Sequence, residues 1–230
     1  MCGRFLLRCP PDSWPLGLFS DTGGISSADL GESFRPRTNI CPTQLVFAIV
    51  EDVAPELQSR SLRSLKMLRW GLVPSWSADR QIAASMINAR SETVAEKPSF
   101  RNAFSRRRCL IPADGYYEWA SLAEGKQPML IERPNRELFC FAGLWERNEK
   151  VPAEKNGVVD PANPLLTCTI ITAAANTLLS GIHARMPVVI WPENYAAWLD
   201  PAEHNASALQ PMLVAADNDY FLASPVERVG

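Results

Sequence analysis

Residues 128–146 read PMLIERPNRELFCFAGLWE: two apolar runs, Met129 to Glu132 and Leu138 to Trp145, separated by Arg133-Pro134-Asn135-Arg136-Glu137. Each run is too short for a typical helix and is bounded by turn-forming residues, so the segment predicts a β-hairpin turning at Pro134 and Asn135. The same grammar recurs on both sides. Leu45 to Val50, Lys66 to Leu72, Cys109 to Trp119, Leu166 to Thr172 and Pro187 to Ile190 are further short apolar runs punctuated by Pro, Gly, Asn or Asp, and they read as strands. Helical patterns are fewer and shorter: Ser27 to Phe34, Ser99 to Arg107, Asn176 to Leu179, and Glu193 to Leu199, the last with Pro192 near its start and Pro201 beyond its end. Ser20 to Ser26 and Glu146 to Pro164 read as surface loops. Many strands with a few peripheral helices predict an α+β fold, a largely antiparallel sheet curled toward a barrel-like core. With 230 residues, 47% of them hydrophobic, one well-buried core and a single domain are expected.

The formal net charge of -2 argues against a generally basic protein, so any polyanion would have to meet a local cluster of cations. Of 23 cationic residues 18 are arginine, whose planar fork suits phosphate, although codon usage would give the same bias. Six cysteines, Cys2, Cys9, Cys41, Cys109, Cys140 and Cys168, form neither a CxxC pair nor a Cys/His cluster, so no metal site is expected and no cofactor is implied. Cys109, Cys140 and Cys168 sit in apolar runs as small hydrophobes, which favours a reducing, cytoplasmic compartment. No signal segment or membrane span is expected: Pro10 and Pro11 interrupt the N-terminus before any apolar stretch of sufficient length.

Four stretches place polar residues inside strand-like surroundings. CGRF puts Cys2 directly behind the initiator methionine; a residue this small normally permits removal of Met1, leaving a free α-amine and a thiol on adjacent carbons. An ordinary early cysteine is the plainer alternative. In SMINARSET, Asn88, Arg90 and Glu92 alternate and would share one face of an extended chain, functional or simply solvated. In PADGYYEW, Asp114 and Gly115 read as a turn, and Glu118 lies among aromatic rings. Desolvation there would favour the protonated carboxyl that a general acid requires, unless Glu118 sits on an open sheet edge. In GIHARMPVV, His183 and Arg185 precede a strand and fit a catalytic or a structural role equally; His204 reads as a surface residue. Cys2, Glu118 or His183, and Asn88 would supply a nucleophile, a proton-transfer group and an orienting group if the fold unites them.

Taken together and in order, CGRF, NARSET, DGYYEW and HARMP resemble the SOS response associated peptidase (SRAP) family, with RPRTNICPTQ, RWGLVPSW and IITAAAN in supporting positions. The resemblance implies a single SRAP domain over residues 2–230 with Met1 removed. It implies a sensor of abasic sites in single-stranded DNA, junctions with duplex included, that forms a thiazolidine crosslink through Cys2. By the same resemblance Asn88 orients the sugar or the N-terminus, Glu118 is the general acid/base and His183 assists proton transfer. Arg4, Arg90 and Arg185 contact phosphates; Pro42, Trp70 and Trp76 form an apolar wedge against bases; Thr172 binds phosphate more weakly. Ala184 stands where many relatives carry an acid. The family name reflects a proposed self-processing of the N-terminus, and a DNA-facing monomer is implied. Two other readings compete: an N-terminal-nucleophile hydrolase of the glutamine amidotransferase type, and a non-enzymatic reader of modified cytosine with the aromatic rings of GYYEW as its base pocket. A run at Arg106, Arg107 and Arg108 would extend a DNA path or merely end a charged helix.

Overall fold

The computed structural model describes residues 2–15, 18, 34–53, 61–155 and 158–229. The loop expected at Ser20 to Ser26 and the helix expected at Ser27 to Phe34, Phe34 itself apart, lie outside the described residues. The described chain runs β1 (Arg4–Leu7), β2 (Arg37–Ile40), β3 (Leu45–Val53), β4 (Ser61–Trp70), β5 (Asn88–Arg90), α1 (Arg101–Arg106), β6 (Arg108–Ala113), β7 (Gly115–Leu122), β8 (Gly125–Glu132), β9 (Phe139–Lys155), β10 (Val158–Ala174), α2 (Thr177–Ser180), β11 (Arg185–Pro187), β12 (Val189–Ile190), α3 (Tyr195–Leu199), α4 (Ala206–Leu209) and β13 (Leu222–Pro225).

Five of these strands close a ring. β10 pairs in parallel with β4, β4 with β3, β3 with β6, β6 with β9, and β9 returns to β10, so no edge is left within this barrel. Every residue of β6 is buried, as expected for a strand covered on both faces. Gly143 on β9 stands opposite Cys109 on β6, and a Cβ there would lie 2.7 Å from the Cys109 sulfur, so the interior closes only around a glycine. A second sheet, in the order β13-β8-β7-β1-β2, packs beside the barrel and carries the N-terminus.

The α+β barrel-like architecture expected from the sequence is therefore present, with several local differences. The segment 128–146 is not a hairpin. Its turn residues are in place, with Arg136 at φ 55°, but β8 pairs with β7 and β13 while β9 pairs with β6, β10 and β12. Turn chemistry reverses the chain; it does not choose the partner strand, and here the turn carries the chain from one sheet to the other. The expected strand Cys109 to Trp119 breaks at Asp114, where the chain changes sheets in the same way. The carboxylate of Asp114, fully buried, accepts from the Arg8 Nε at 3.0 Å and the Cys9 backbone N–H at 2.8 Å and so pins the end of β1.

Glu146 to Pro164, expected as a loop, is mostly the long hairpin of β9 and β10. Its polar residues misled because two of them are buried with partners. Glu146 pairs with Arg107 at 2.6 Å, and the Asn148 amide donates to Pro74 O at 2.7 Å and Ser77 O at 2.8 Å. The Arg106 to Arg108 run is not a DNA path as a whole. Arg107 takes part in that ion pair, and the buried Arg108 donates to carbonyls of Phe104, Ser105, Trp198 and Glu203, satisfying chain ends left without partners.

Candidate active site

β1 lies between β2 and β7, with Phe5 opposite both Ile40 and Tyr116, and this delivers Cys2 to the seam between the second sheet and the barrel. β5 runs parallel to the end of β10, Asn88 opposite Ile170 and Arg90 opposite Thr172. From β5 the Asn88 Nδ2 donates to the Cys2 carbonyl at 2.9 Å, while its buried Oδ1 has no partner among the described residues. Cys2 is completely buried. Burial first, and the negative charge of Glu118 second, push its thiol well above the ordinary value.

Glu118 and Tyr116 project from one face of β7, 4% and 0% exposed. Glu118 also lines a cleft of 420 Å³ with Trp119, Lys126 and His183. α2 is capped by Asn176, whose side chain accepts from the Leu179 N–H at 2.9 Å, and the turn after it sets His183, whose own N–H donates to Leu179 O at 3.0 Å. The His183 Nδ1 faces the Arg185 backbone, 3.0 Å from its N–H and 3.2 Å from its carbonyl oxygen, which fixes the orientation of the ring. Asn88, Cys2, Glu118 and His183, 181 positions apart at the extremes, thus join into one site by a hydrogen bond, an electrostatic contact and a shared cleft.

The residues expected to contact DNA divide. Arg4, half-buried, lies over the Trp119 ring at 5.8 Å and donates to Asn39 Oδ1 at 3.3 Å. Arg90 is exposed, Pro42 is half-buried, and Trp76 is 52% exposed. Trp70 does not belong to an accessible wedge. It is completely buried, its indole N–H donates to Ile87 O at 2.8 Å, and Phe5 packs edge-on at 5.3 Å, so it is a core residue. Thr172 is likewise fully buried, with its hydroxyl 3.4 Å from Ala89 O and 3.4 Å from the Arg185 Nη2, which removes it from phosphate contact.

Arg185 is engaged by Glu92 through a two-pronged pair at 2.6 and 2.9 Å and by the Thr172 carbonyl, so no unpaired fork faces solvent. Glu92 sits in the turn after β5 rather than on the same extended face as Asn88 and Arg90. The aromatic base pocket imagined for GYYEW is also absent, because Tyr116 and Tyr117 are buried and Tyr116 packs edge-on against Phe141 and Phe221. Sequence reasoning missed Lys126 in the cleft; a lysine near the start of β8, between Gly125 and Gln127, carries no pattern that marks it. Among the described residues no three His, Cys, Asp or Glu side chains gather as metal ligands, and no helix is long and apolar enough to cross a membrane.

The family model described as SOS response associated peptidase (SRAP) matches residues 1–229. Abasic site processing protein YobE of Bacillus subtilis is 41% identical over 230 residues, covering 100% of this chain and 95% of the relative. Abasic site processing protein YoqW of the same organism is 39% identical over 100% of this chain and 93% of its own length. Abasic site processing protein HMCES of Gallus gallus is 33% identical over 70% of this chain and 52% of the relative. Among solved structures, a Bacteroides thetaiotaomicron protein superposes with a TM-score of 0.75 at 22% identity, over 98% of this chain and 92% of that one. A phage-related protein from Bordetella bronchiseptica gives 0.70 at 25% identity, over 99% and 95%. Matched over nearly its full length by the family model and by relatives of the same extent, this chain belongs to the SOS response associated peptidase (SRAP) family.

Proposed function

We propose that this chain, with Met1 removed, recognises abasic sites in single-stranded DNA and captures them as a thiazolidine through Cys2. The observation that carries the reading is the Asn88 hydrogen bond to the Cys2 carbonyl at 2.9 Å, which holds the second residue of the chain beside Glu118. The relatives named for abasic site processing support the same reading.

The ring-opened abasic sugar offers an aldehyde. The α-amine freed by loss of Met1, with an ordinary pKa of roughly 7.7 to 8.0, is partly neutral at cellular pH and adds to the aldehyde carbon C1′. Glu118 protonates the departing oxygen, one water leaves, and an imine results. The Cys2 sulfur then bonds to C1′, the C=N π pair becomes the nitrogen lone pair, and the thiol proton is exchanged through Glu118 for one delivered to nitrogen. The five-membered ring retains the lesion without β-elimination and strand scission. His183 assists proton transfer at the sugar oxygen, and reversal runs through the same groups. Arg4 and Arg90 hold flanking phosphates, a local pair of cations that offsets the formal charge of -2. Pro42 and Trp76 offer surfaces against which bases stack at a junction with duplex. Self-processing at the Met1–Cys2 bond, action as a monomer and a cytoplasmic location are part of the proposal.

The test is a single-stranded oligonucleotide with one abasic site, mixed with the protein and run on a denaturing gel. A heat-stable shifted band is expected, and it should be lost in Cys2→Ala. No band, or an equal band from Cys2→Ala, rejects the reading. Glutamine hydrolysis in place of an adduct would support an N-terminal-nucleophile hydrolase.

A further inference from the structure

Tyr116 is the buried polar group that this mechanism leaves unused. Its ring is fixed edge-on by Phe141 at 6.1 Å and Phe221 at 5.6 Å, so the hydroxyl cannot swing to a new position without disturbing the core. That hydroxyl is buried and has no hydrogen-bond partner among the described residues. Strand alternation puts Tyr116 and Glu118 on the same face of β7, and the hydroxyl lies within electrostatic reach of both the Cys2 thiol and the Glu118 carboxylate. A buried donor left unpaired is costly, and unpaired groups of this kind collect where a partner forms only during function.

We propose that the Tyr116 hydroxyl is a positioning donor for Cys2, hydrogen-bonding the sulfur once the thiol gives up its proton for ring closure. The inference rests on the thiazolidine chemistry proposed above. A thiol is a poor acceptor and a thiolate a good one, so the bond strengthens as closure begins and acts on that step. Tyr116 keeps its own proton throughout: burial first, then Cys2 and Glu118, hold its phenol well above the ordinary value, leaving it a donor at any working pH. The sulfur needs such help, because burial and Glu118 oppose its ionisation more than the terminal amine and the Arg4 backbone N–H favour it. The titratable groups around the pair are Glu118 from β7, Lys126 from β8, His183 ahead of β11 and the α-amine of Cys2; Phe141 of β9 and Phe221 present only rings. In the step itself Sγ–C1′ forms, the C=N π pair moves to nitrogen, and the thiol proton passes to Glu118 while nitrogen receives one in return.

Tyr116→Phe keeps the ring and removes the donor. With mature protein and an oligonucleotide carrying one abasic site, borohydride trapping reads imine formation and the heat-stable band reads closure. Imine formation is expected at the wild-type rate, closure about tenfold slower, the size of one hydrogen bond to a charged acceptor, and the rising limb of the closure pH profile about one unit higher. Unchanged closure and an unmoved limb overturn the inference, as does an equal slowing of imine formation, which would mean substrate fit. If wild-type protein gives no adduct, it is the functional reading that fails. Should Tyr116→Phe not fold, fluorotyrosine incorporation preserves shape and strengthens the donor; faster closure is then expected, and an unchanged or slower rate overturns the assignment.

Discussion

The Asn88 side-chain amide donates a 2.9 Å hydrogen bond to the carbonyl of Cys2, fastening the second residue of the chain to a strand 86 residues later. Deleting this bond frees the N-terminus without touching the reacting groups. Asn88→Ala is expected to slow crosslinking roughly tenfold, about the worth of one hydrogen bond plus lost alignment. Melting should change by no more than about 1 kcal/mol. Single-turnover kinetics with a parallel thermal melt checks both, and an unaltered rate would remove Asn88 from the site.

The thiazolidine proposed at Cys2 needs a free α-amine. Intact mass is expected to show a chain lacking Met1, and a chain in which Met1 is retained should form no adduct. Adduct formed by the Met1-bearing chain would exclude the thiazolidine, since an amide nitrogen cannot add to the aldehyde. Glu118→Gln should slow formation or reversal by about a hundredfold, the lower range for loss of a general acid/base, and equal rates would release Glu118 from that role.

Two tryptophans predicted alike should behave in opposite ways. Trp70→Ala is expected to cost about 3–5 kcal/mol of stability, because a fully buried indole leaves a cavity and the Ile87 carbonyl loses one of its two donors, keeping only the Ile170 N–H. Trp76→Ala, at a position 52% exposed, should leave stability within about 0.5 kcal/mol and weaken single-stranded DNA binding by about 1–3 kcal/mol. Chemical denaturation and fluorescence anisotropy separate the two effects.

The Glu92–Arg185 pair occupies the guanidinium that a flanking phosphate would otherwise claim. Arg185 holds the Glu92 carboxyl below the usual carboxylate range, so the competitor stays charged at any neutral or mildly acidic pH. Glu92→Gln is expected to tighten DNA binding and steepen its salt dependence by about one released ion. An unchanged slope would mean that Arg185 is purely structural.

Stability should fall on the alkaline side. Burial raises the thiols of Cys109, Cys140 and Cys168, that of Cys140 to about 12, and raises Tyr116 as well. Once pH passes the ordinary thiol value of about 8.5, the folded state therefore binds more protons than the unfolded chain. Stability is full below that pH and is lost as pH climbs toward the raised values. A thermal melt series from pH 7 to 10.5 should show a steadily falling midpoint above about pH 8.5, and a flat series would contradict the burial of these groups.

Short apolar runs and their Pro, Gly, Asn and Asp boundaries sufficed for the α+β class and for the cores of β3, β4, β8, β9 and β10, because period and turn chemistry are local properties. The four polar strips were legible for a related reason: a charged or amide side chain inside a strand-like run conflicts with its surroundings, and in the fold Asn88 bonds Cys2, Glu118 acts electrostatically on it, and Glu118 shares a cleft with His183. Strand partnership was not legible. The turn at Pro134 and Asn135 looks the same whether it joins neighbours or passes the chain between sheets. Polar residues of the β9–β10 hairpin read as loop because their partners, Arg107 and the Pro74 and Ser77 carbonyls, are distant in sequence. Depth was not legible either: the apolar runs holding Trp70 and Thr172 read as strands without showing that both side chains are fully buried and so withdrawn from the DNA contacts the resemblance implied. Local sequence specifies which chemistry each residue offers; barrel closure and the insertion of β1 decide which residues meet, because contacts across 86 or more positions exist only once the sheets have formed.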